Sequence, residues 1–175
     1  MTAVAAVAKR YQIDSDILQE VLSHYTVNNG RMEAFQMGSN DVTLNLAKNP
    51  VGANMTLRVM NEMQGEKELL FVLNDNIADG LDVSWIWDIN FSTFRNVTRV
   101  VTSGTRAYDI AVRIKCSGYD AQNIVVRPDL DEAVAELNTT QGKKFVIANY
   151  TAVQPTRSAL QRWIAHHGGA AHETN

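Results

Sequence analysis

A three-layer α/β domain with a mostly parallel sheet is the fold that the sequence predicts, on three observations. Leu69 to Leu73 (LLFVL) is a short, unbroken apolar run, the pattern of a strand buried on both faces of a parallel sheet. Candidate strands alternate with helical segments through the rest of the chain. Right-handed crossovers between such strands place a helix layer on each face.

Residues 2–11 (TAVAAVAKRY) have the alanine content of a closely packed helix. Asp14 or Ser15 can cap a second helix, with Ile17, Leu18, Val21, Leu22 and Tyr25 on one face. Two short helices bury too little to stand alone, so they are expected to dock on a larger unit or to close a preceding one. Asn28, Asn29 and Gly30 mark the boundary, dividing the chain into residues 1–29 and 30–175. Arg31 to Met37 and Val42 to Leu46 read as strands about the turn Gly38-Ser39-Asn40-Asp41. Pro50 suits the first turn of a helix carrying Met55, Leu57, Val59 and Met60, which ends near Gly65. The central strand, Glu68 to Leu73, then breaks into the crossover NDNIADGLDVSWIWD. Thr98 to Thr102 is the next strand, followed by a turn at Ser103-Gly104. A helix with Ala107, Ile110, Ala111 and Ile114 follows and stops at Gly118. Ile124 to Val126 is a short strand, and Asp129 caps a helix with Leu130, Val134 and Leu137 on one side. Lys144 to Ala148 is the last strand. A helix is expected from about Pro155 to His166, with a polar tail from Gly168.

Composition excludes several classes. The 175 residues suit one sizeable domain with a small appendage. A formal charge of −3 gives no general attraction to nucleic acid or anionic membrane. No apolar run approaches the roughly 20 residues of a membrane span. One cysteine, Cys116, rules out an intrachain disulfide and a cysteine-cluster metal site, and no base stands near it to make it reactive. Cytoplasmic residence is the expectation. The sequence enters a helical pattern directly after Met1, as expected of a piece of a longer protein.

Chemistry-bearing residues concentrate in the crossover. Asp75, Asp79, Asp82 and Asp88, with Trp85 and Trp87 among them, follow the central strand, and open parallel sheets place their ligands beyond such carboxyl ends. Carboxylates here can bind a hydroxyl-bearing ligand or Mg²⁺, or orient a histidine across an interface. They can equally build turns through bonds to their own backbone. Trp85 and Trp87 alternate like strand residues, yet tryptophan also anchors protein interfaces, and at least one is a candidate for the core. Arg31 and Glu33 read either as a strand-edge ion pair or as a phosphate contact to a neighbouring domain. Lys48 and Asn49 precede a helix N-terminus, which suits an anion. Arg106, Asp109 and Arg113 fall on one helix face, as a surface ion-pair set does. No G-x-x-x-x-G-K-[ST] or G-x-G-x-x-G motif occurs, so this chain by itself is not read as an ATPase. No histidine lies near the acids in sequence, which disfavours a self-contained hydrolase.

The run NDNIADGLDVSWIWDINF, with AKNPVG before it and SGTRAYDIAVRIK after it, resembles the C-terminal domain of the MurT-type Mur ligases. NGRMEAF resembles the entry to that domain, TAVAA the end of the central ATP-binding domain, and Tyr150-Thr151-Ala152 a signature near the family's end. The resemblance implies a three-layer, Rossmann-like Mur ligase C-terminal domain with a mostly parallel sheet, preceded by two short helices left from the central domain. It implies the synthetase half of a lipid II isoglutaminyl synthase. That enzyme activates the D-glutamate α-carboxylate of the stem peptide with ATP and Mg²⁺, and a GatD-type glutamine amidotransferase supplies ammonia. No cofactor is implied for this chain alone, because the family's P-loop and zinc ribbon lie upstream. An aspartate of the crossover, Asp82 or Asp88, is implied to complete the partner's Cys–His pair in trans. Asp75, Asp79, Trp85 and Trp87 are implied at the partner interface, and Arg31, Lys48 and Asn49 at the nucleotide or acceptor side of the cleft. The alternative is a non-catalytic interaction or ligand-binding module on the same fold.

Overall fold

The apolar run forms the core of β3 (Lys67–Val72), every residue of which is buried. Parallel neighbours, β6 (Lys143–Ala148) and β4 (Val97–Ser103), flank it on either side, and helices cover both faces. A strand so placed has no wet face, and its composition follows. The structure is a computed structural model describing residues 2–24 and 30–167. Tyr25, Asn28, Asn29 and the tail 168–175 lie outside the described residues. The sheet order is β1 (Glu33–Met37), β2 (Asn40–Leu46), β6, β3, β4, β5 (Ile124–Val126). Among the described residues only β1 runs antiparallel to its neighbour.

Alternation along the strands builds two cores. Leu70, Val72, Val146, Ala148 and Val101 meet α5 (Leu130–Leu137) and α6 (Tyr150–His167) on one face. Leu69, Phe71, Leu73, Phe145, Ile147 and Val100 meet α3 (Pro50–Glu62), α4 (Ala107–Cys116) and two 3-10 turns, Ser84–Asp88 and Phe91–Thr93, on the other. Three layers therefore stand as the sequence indicates. Two helices, α1 (Thr2–Arg10) and α2 (Ser15–His24), precede the sheet. Asp14 caps the second, its carboxylate accepting the Asp16 N–H at 2.8 Å and its carbonyl the Leu18 N–H at 3.0 Å.

Asp129 caps α5 as expected, accepting the Glu132 N–H at 3.0 Å. Two local expectations fail. The last helix begins at Tyr150, not Pro155, because the Asn149 carbonyl already accepts the Ala152 and Val153 N–H groups, each at 3.1 Å. Pro155 thus sits inside α6, costing one hydrogen bond, where proline alone signals a helix start. The tryptophans do not alternate on a strand either. Ser84–Asp88 is a 3-10 turn, in which Trp85 is part-buried against the core and Trp87 is 55% exposed.

Candidate functional site

The sheet's topology makes a crevice where β3 and β6 end side by side. The chain leaves β3 toward α4's face of the sheet and leaves β6 into α6 on the opposite face, the arrangement at which open α/β sheets bind ligands. Here the protein bridges the two strand ends with its own side chains. Asn149 Oδ1 accepts the Asn74 N–H at 3.0 Å, and its amide donates to the Asn74 carbonyl at 2.7 Å. Asn76 Nδ2 donates to Thr151 Oγ1 at 2.8 Å. The Asp79 carboxylate caps α6, accepting the Thr151 N–H at 2.9 Å and the Thr151 hydroxyl as well. Asn74 and Asn149 each follow a buried apolar strand directly, which is the signal by which sequence alone points to them.

A second set of bonds ties the crossover to α4. Gly104 turns at φ +91°, and a Cβ there would lie 2.5 Å from the Leu73 carbonyl oxygen, so only glycine fits. Thr105 Oγ1 donates to Asp75 Oδ1 at 2.7 Å, and Arg106 Nε to Asp75 Oδ2 at 2.8 Å. The Thr105 hydroxyl, then the Arg106 guanidinium, hold the Asp75 carboxyl below the usual carboxylate range. Arg106 also reaches Asp109 at 3.6 Å. Arg113 takes no part in that ion pair, and its guanidinium turns to the Ile86 and Ile89 carbonyls.

Between these anchors the crossover presents an exposed tip. Ile77 is 92% and Leu81 70% exposed, with Gly80 at φ +85° between them. Asp82 stands beside this tip. Its Oδ1 accepts the Ser84 N–H at 2.8 Å, and that backbone bond, with the Ser84 side chain, holds its carboxyl below the ordinary range. One carboxylate oxygen is thus fixed, and the group is charged at neutral pH. Asp88 closes the 3-10 turn on the α3 side, its main-chain carbonyl accepting Asn54 Nδ2 at 3.2 Å. A shallow groove of about 230 Å³ next to the turn is lined by Val83, Trp87, Tyr108 and Val112.

Among the four aspartates, then, Asp75 and Asp79 are engaged within the domain, while Asp82 and Asp88 are exposed at either end of the turn. Glu33 pairs with Arg157 of α6 rather than with Arg31. Arg31 is exposed just after Gly30, whose carbonyl accepts the Leu46 N–H at 2.5 Å, and Lys48 is exposed two residues beyond Leu46. Both cations therefore emerge at the carboxyl end of β2. Asn49 is the N-cap of α3, accepting the Gly52 N–H at 2.8 Å. No cluster of metal-ligating side chains is formed among the described residues. No helix among them is long and apolar enough to cross a membrane.

This fold is shared with part of the Mur ligases. The chain superposes on part of MurF from Acinetobacter baumannii (TM-score 0.69, 15% identity, 94% of this chain and 36% of that one). It likewise matches UDP-N-acetylmuramate-alanine ligase MurC from Thermotoga maritima (TM-score 0.68, 13% identity, 94% and 36%). Residues 46–153 match the family model for the MurT ligase C-terminal domain, and the chain belongs to that family. It is similar to the MurT subunit of lipid II isoglutaminyl synthase (glutamine-hydrolyzing) from Staphylococcus aureus, with 33% identity over 91% of this chain. The subunit of that name from Streptococcus pneumoniae is 32% identical over 90%. The chain spans 37% and 36% of the length of these relatives.

Proposed function

We propose that this chain is the C-terminal domain of an ATP-dependent ligase that amidates the D-glutamate α-carboxylate of the lipid II stem peptide to D-isoglutamine. Residues 1–29 are read as the end of the preceding central domain, and the reaction as cytoplasmic. In the full-length ligase the carboxylate oxygen takes the γ-phosphoryl group of ATP and ADP departs. Ammonia then attacks the acyl carbon, the C–N bond forms, the C–O bond to phosphate breaks, and the amine nitrogen loses a proton. ATP and Mg²⁺ belong to the whole enzyme, and none is assigned to this chain alone. Arg31 and Lys48, the cations at the carboxyl end of β2, suit a phosphate or carboxylate on the cleft side. Asn49 serves there by capping α3.

Ammonia comes, on this reading, from a GatD-type glutamine amidotransferase docked on the crossover. The exposed Trp87, Leu81 and Ile77 supply apolar contact for it. Asp82 is the residue that completes the partner's Cys–His pair in trans. The observation that carries this assignment is its carboxylate geometry: one oxygen held by the Ser84 N–H, the other left for an imidazole, on an exposed tip. A carboxylate so held orients a histidine ring and stabilises its charged form. Asp75 and Asp79 act behind the interface, fastening the crossover to α4 and α6.

The test is glutamine hydrolysis by the full-length ligase in complex with its amidotransferase. Asp82→Asn is expected to lower the rate on the order of a hundredfold or more, while Asp88→Asn stays near wild type. Loss only in the Asp88 variant would move the role to that residue. No loss in either, with the complex intact, supports the non-catalytic interaction module instead.

A further inference from the structure

The crossover's second half is a five-residue 3-10 turn, too short to satisfy its own carbonyl groups. Arg113, from the last turn of α4, supplies the missing donors. Its Nε donates to the Ile86 carbonyl at 3.2 Å and its Nη2 to the Ile89 carbonyl at 2.5 Å. The same guanidinium lies 5.4 Å from the centre of the Trp87 ring and 5.5 Å from that of Phe91. A planar fork that bridges two carbonyls and stacks on aromatic faces is a task lysine cannot copy. Asp109, which the sequence sets within reach of either arginine, is paired with Arg106. Among the described residues no carboxylate lies within ion-pair distance of Arg113.

The chain of contacts runs from this arginine to the tip. Fixing the carbonyls of residues 86 and 89 fixes the turn that begins at Ser84, and the Ile86 N–H reaches back to the Val83 carbonyl at 3.1 Å. The Asp82 carboxylate hangs on the Ser84 N–H of that same turn. Trp87, whose face the guanidinium covers, projects from it into the groove beside Tyr108 and Val112.

We propose that Arg113 is a positioning residue for the trans-acting carboxylate: by clamping the Ser84–Asp88 turn it holds Asp82 and Trp87 in the attitude that the amidotransferase requires. This rests on the role given to Asp82 above. Arg113 is assigned to act through the turn.

The experiment uses the full-length ligase with its amidotransferase and two nitrogen sources, glutamine and added ammonium. Arg113→Met keeps the apolar stem and removes the fork. It is expected to lower glutamine-driven hydrolysis and amidation on the order of ten- to a hundredfold, while ammonium-driven amidation, which bypasses the partner's triad, stays near wild type. Arg113→Lys, which keeps the charge over Trp87 but cannot span both carbonyls, falls between, and serves as the reading should the methionine variant fail to fold. In the double variant with Asp82→Asn the losses do not multiply, because both act through one carboxylate. Equal loss with ammonium and glutamine, multiplying losses, or full activity in both Arg113 variants would each overturn the proposal. Full glutamine activity in Asp82→Asn alone would instead remove the reading on which it rests.

Discussion

Glu33 shows at the scale of a single residue what sequence neighbours reveal and what they hide. Arg31 is the cation nearby in sequence, yet the partner is Arg157, 124 positions away. Arg157 Nε lies 2.9 Å from Glu33 Oε1 and Nη2 lies 2.6 Å from Oε2, and Oε2 also accepts the Gly30 N–H at 3.0 Å. These bonds, the arginine's first, hold the Glu33 carboxyl below its ordinary value against the opposing effect of burial. A carboxyl whose folded-state pKa is depressed adds stability that is fully present above its unfolded pKa. That stability is lost as pH falls through the lower, folded value. The wild type is therefore expected to exceed Glu33→Gln in urea stability at pH 7, with the gap closing below about pH 4.5, the unfolded value. A gap that persists undiminished at pH 3 would show that the contact works through shape and not charge. Asp75 follows the same logic, since neither Thr105 nor Arg106 stands near it in sequence. Acids were legible as candidates, but their partners were not, because pairing is set by which strands end side by side.

Elements were legible in proportion to how far local chemistry decides them. Asp129 before an apolar stripe and Gly118 after one place the ends of α5 and α4 correctly, because caps and left-handed glycines act within a few residues. The α6 start was not, since its first turn is held by Asp79 and by the Asn149 carbonyl, and Pro155 is tolerated inside it. The 3-10 turn at Ser84–Asp88 is hidden from the sequence for a similar reason, its conformation being fixed from α4 by Arg113. At the β4–α4 junction the backbone itself carries the constraint. Gly104 has φ +91°, and an added Cβ would meet the Leu73 carbonyl oxygen at 2.5 Å and Asn74 Oδ1 at 2.7 Å. Gly104→Ala is expected to cost about 2 kcal/mol or more, from left-handed strain and the forced retreat of the β3 terminus. It should also loosen the bond from the Arg106 N–H to the Leu73 carbonyl, now 2.9 Å, which hydrogen exchange at Arg106 reports directly. Exchange as slow as in the wild type would mean that the junction absorbs the methyl group without moving.

The whole domain separates stability from display along the length of one strand. At the amino end of β3, Glu68 and Lys144 face each other in register and are almost wholly buried, Nζ to Oε2 at 2.9 Å. The Thr140 hydroxyl bonds both of them, and Arg99 and Arg127 hold Glu136 close by. At the carboxyl end stand Asn74, Asp79 and the exposed crossover. Six residues of strand put about 20 Å between the two, beyond the range over which substitutions ordinarily couple. Burying two charges is costly, and their attraction largely offsets that cost only while both are present. Lys144→Met, which leaves a buried carboxylate unpaired, is expected to destabilise the domain by about 3–5 kcal/mol. Glu68→Leu with Lys144→Met should restore most of that, or exceed the wild type, because the Thr140 side is exposed and its hydroxyl can turn to water. Chemical denaturation of the wild type, Lys144→Met and the double variant measures the loss and its recovery. If the double variant is stable and its complex still hydrolyses glutamine at the wild-type rate, the amino end serves the fold and the carboxyl end serves the reaction. A stable double variant with impaired hydrolysis would instead show that the register of β3 against β6, set by this pair, is what aims the crossover.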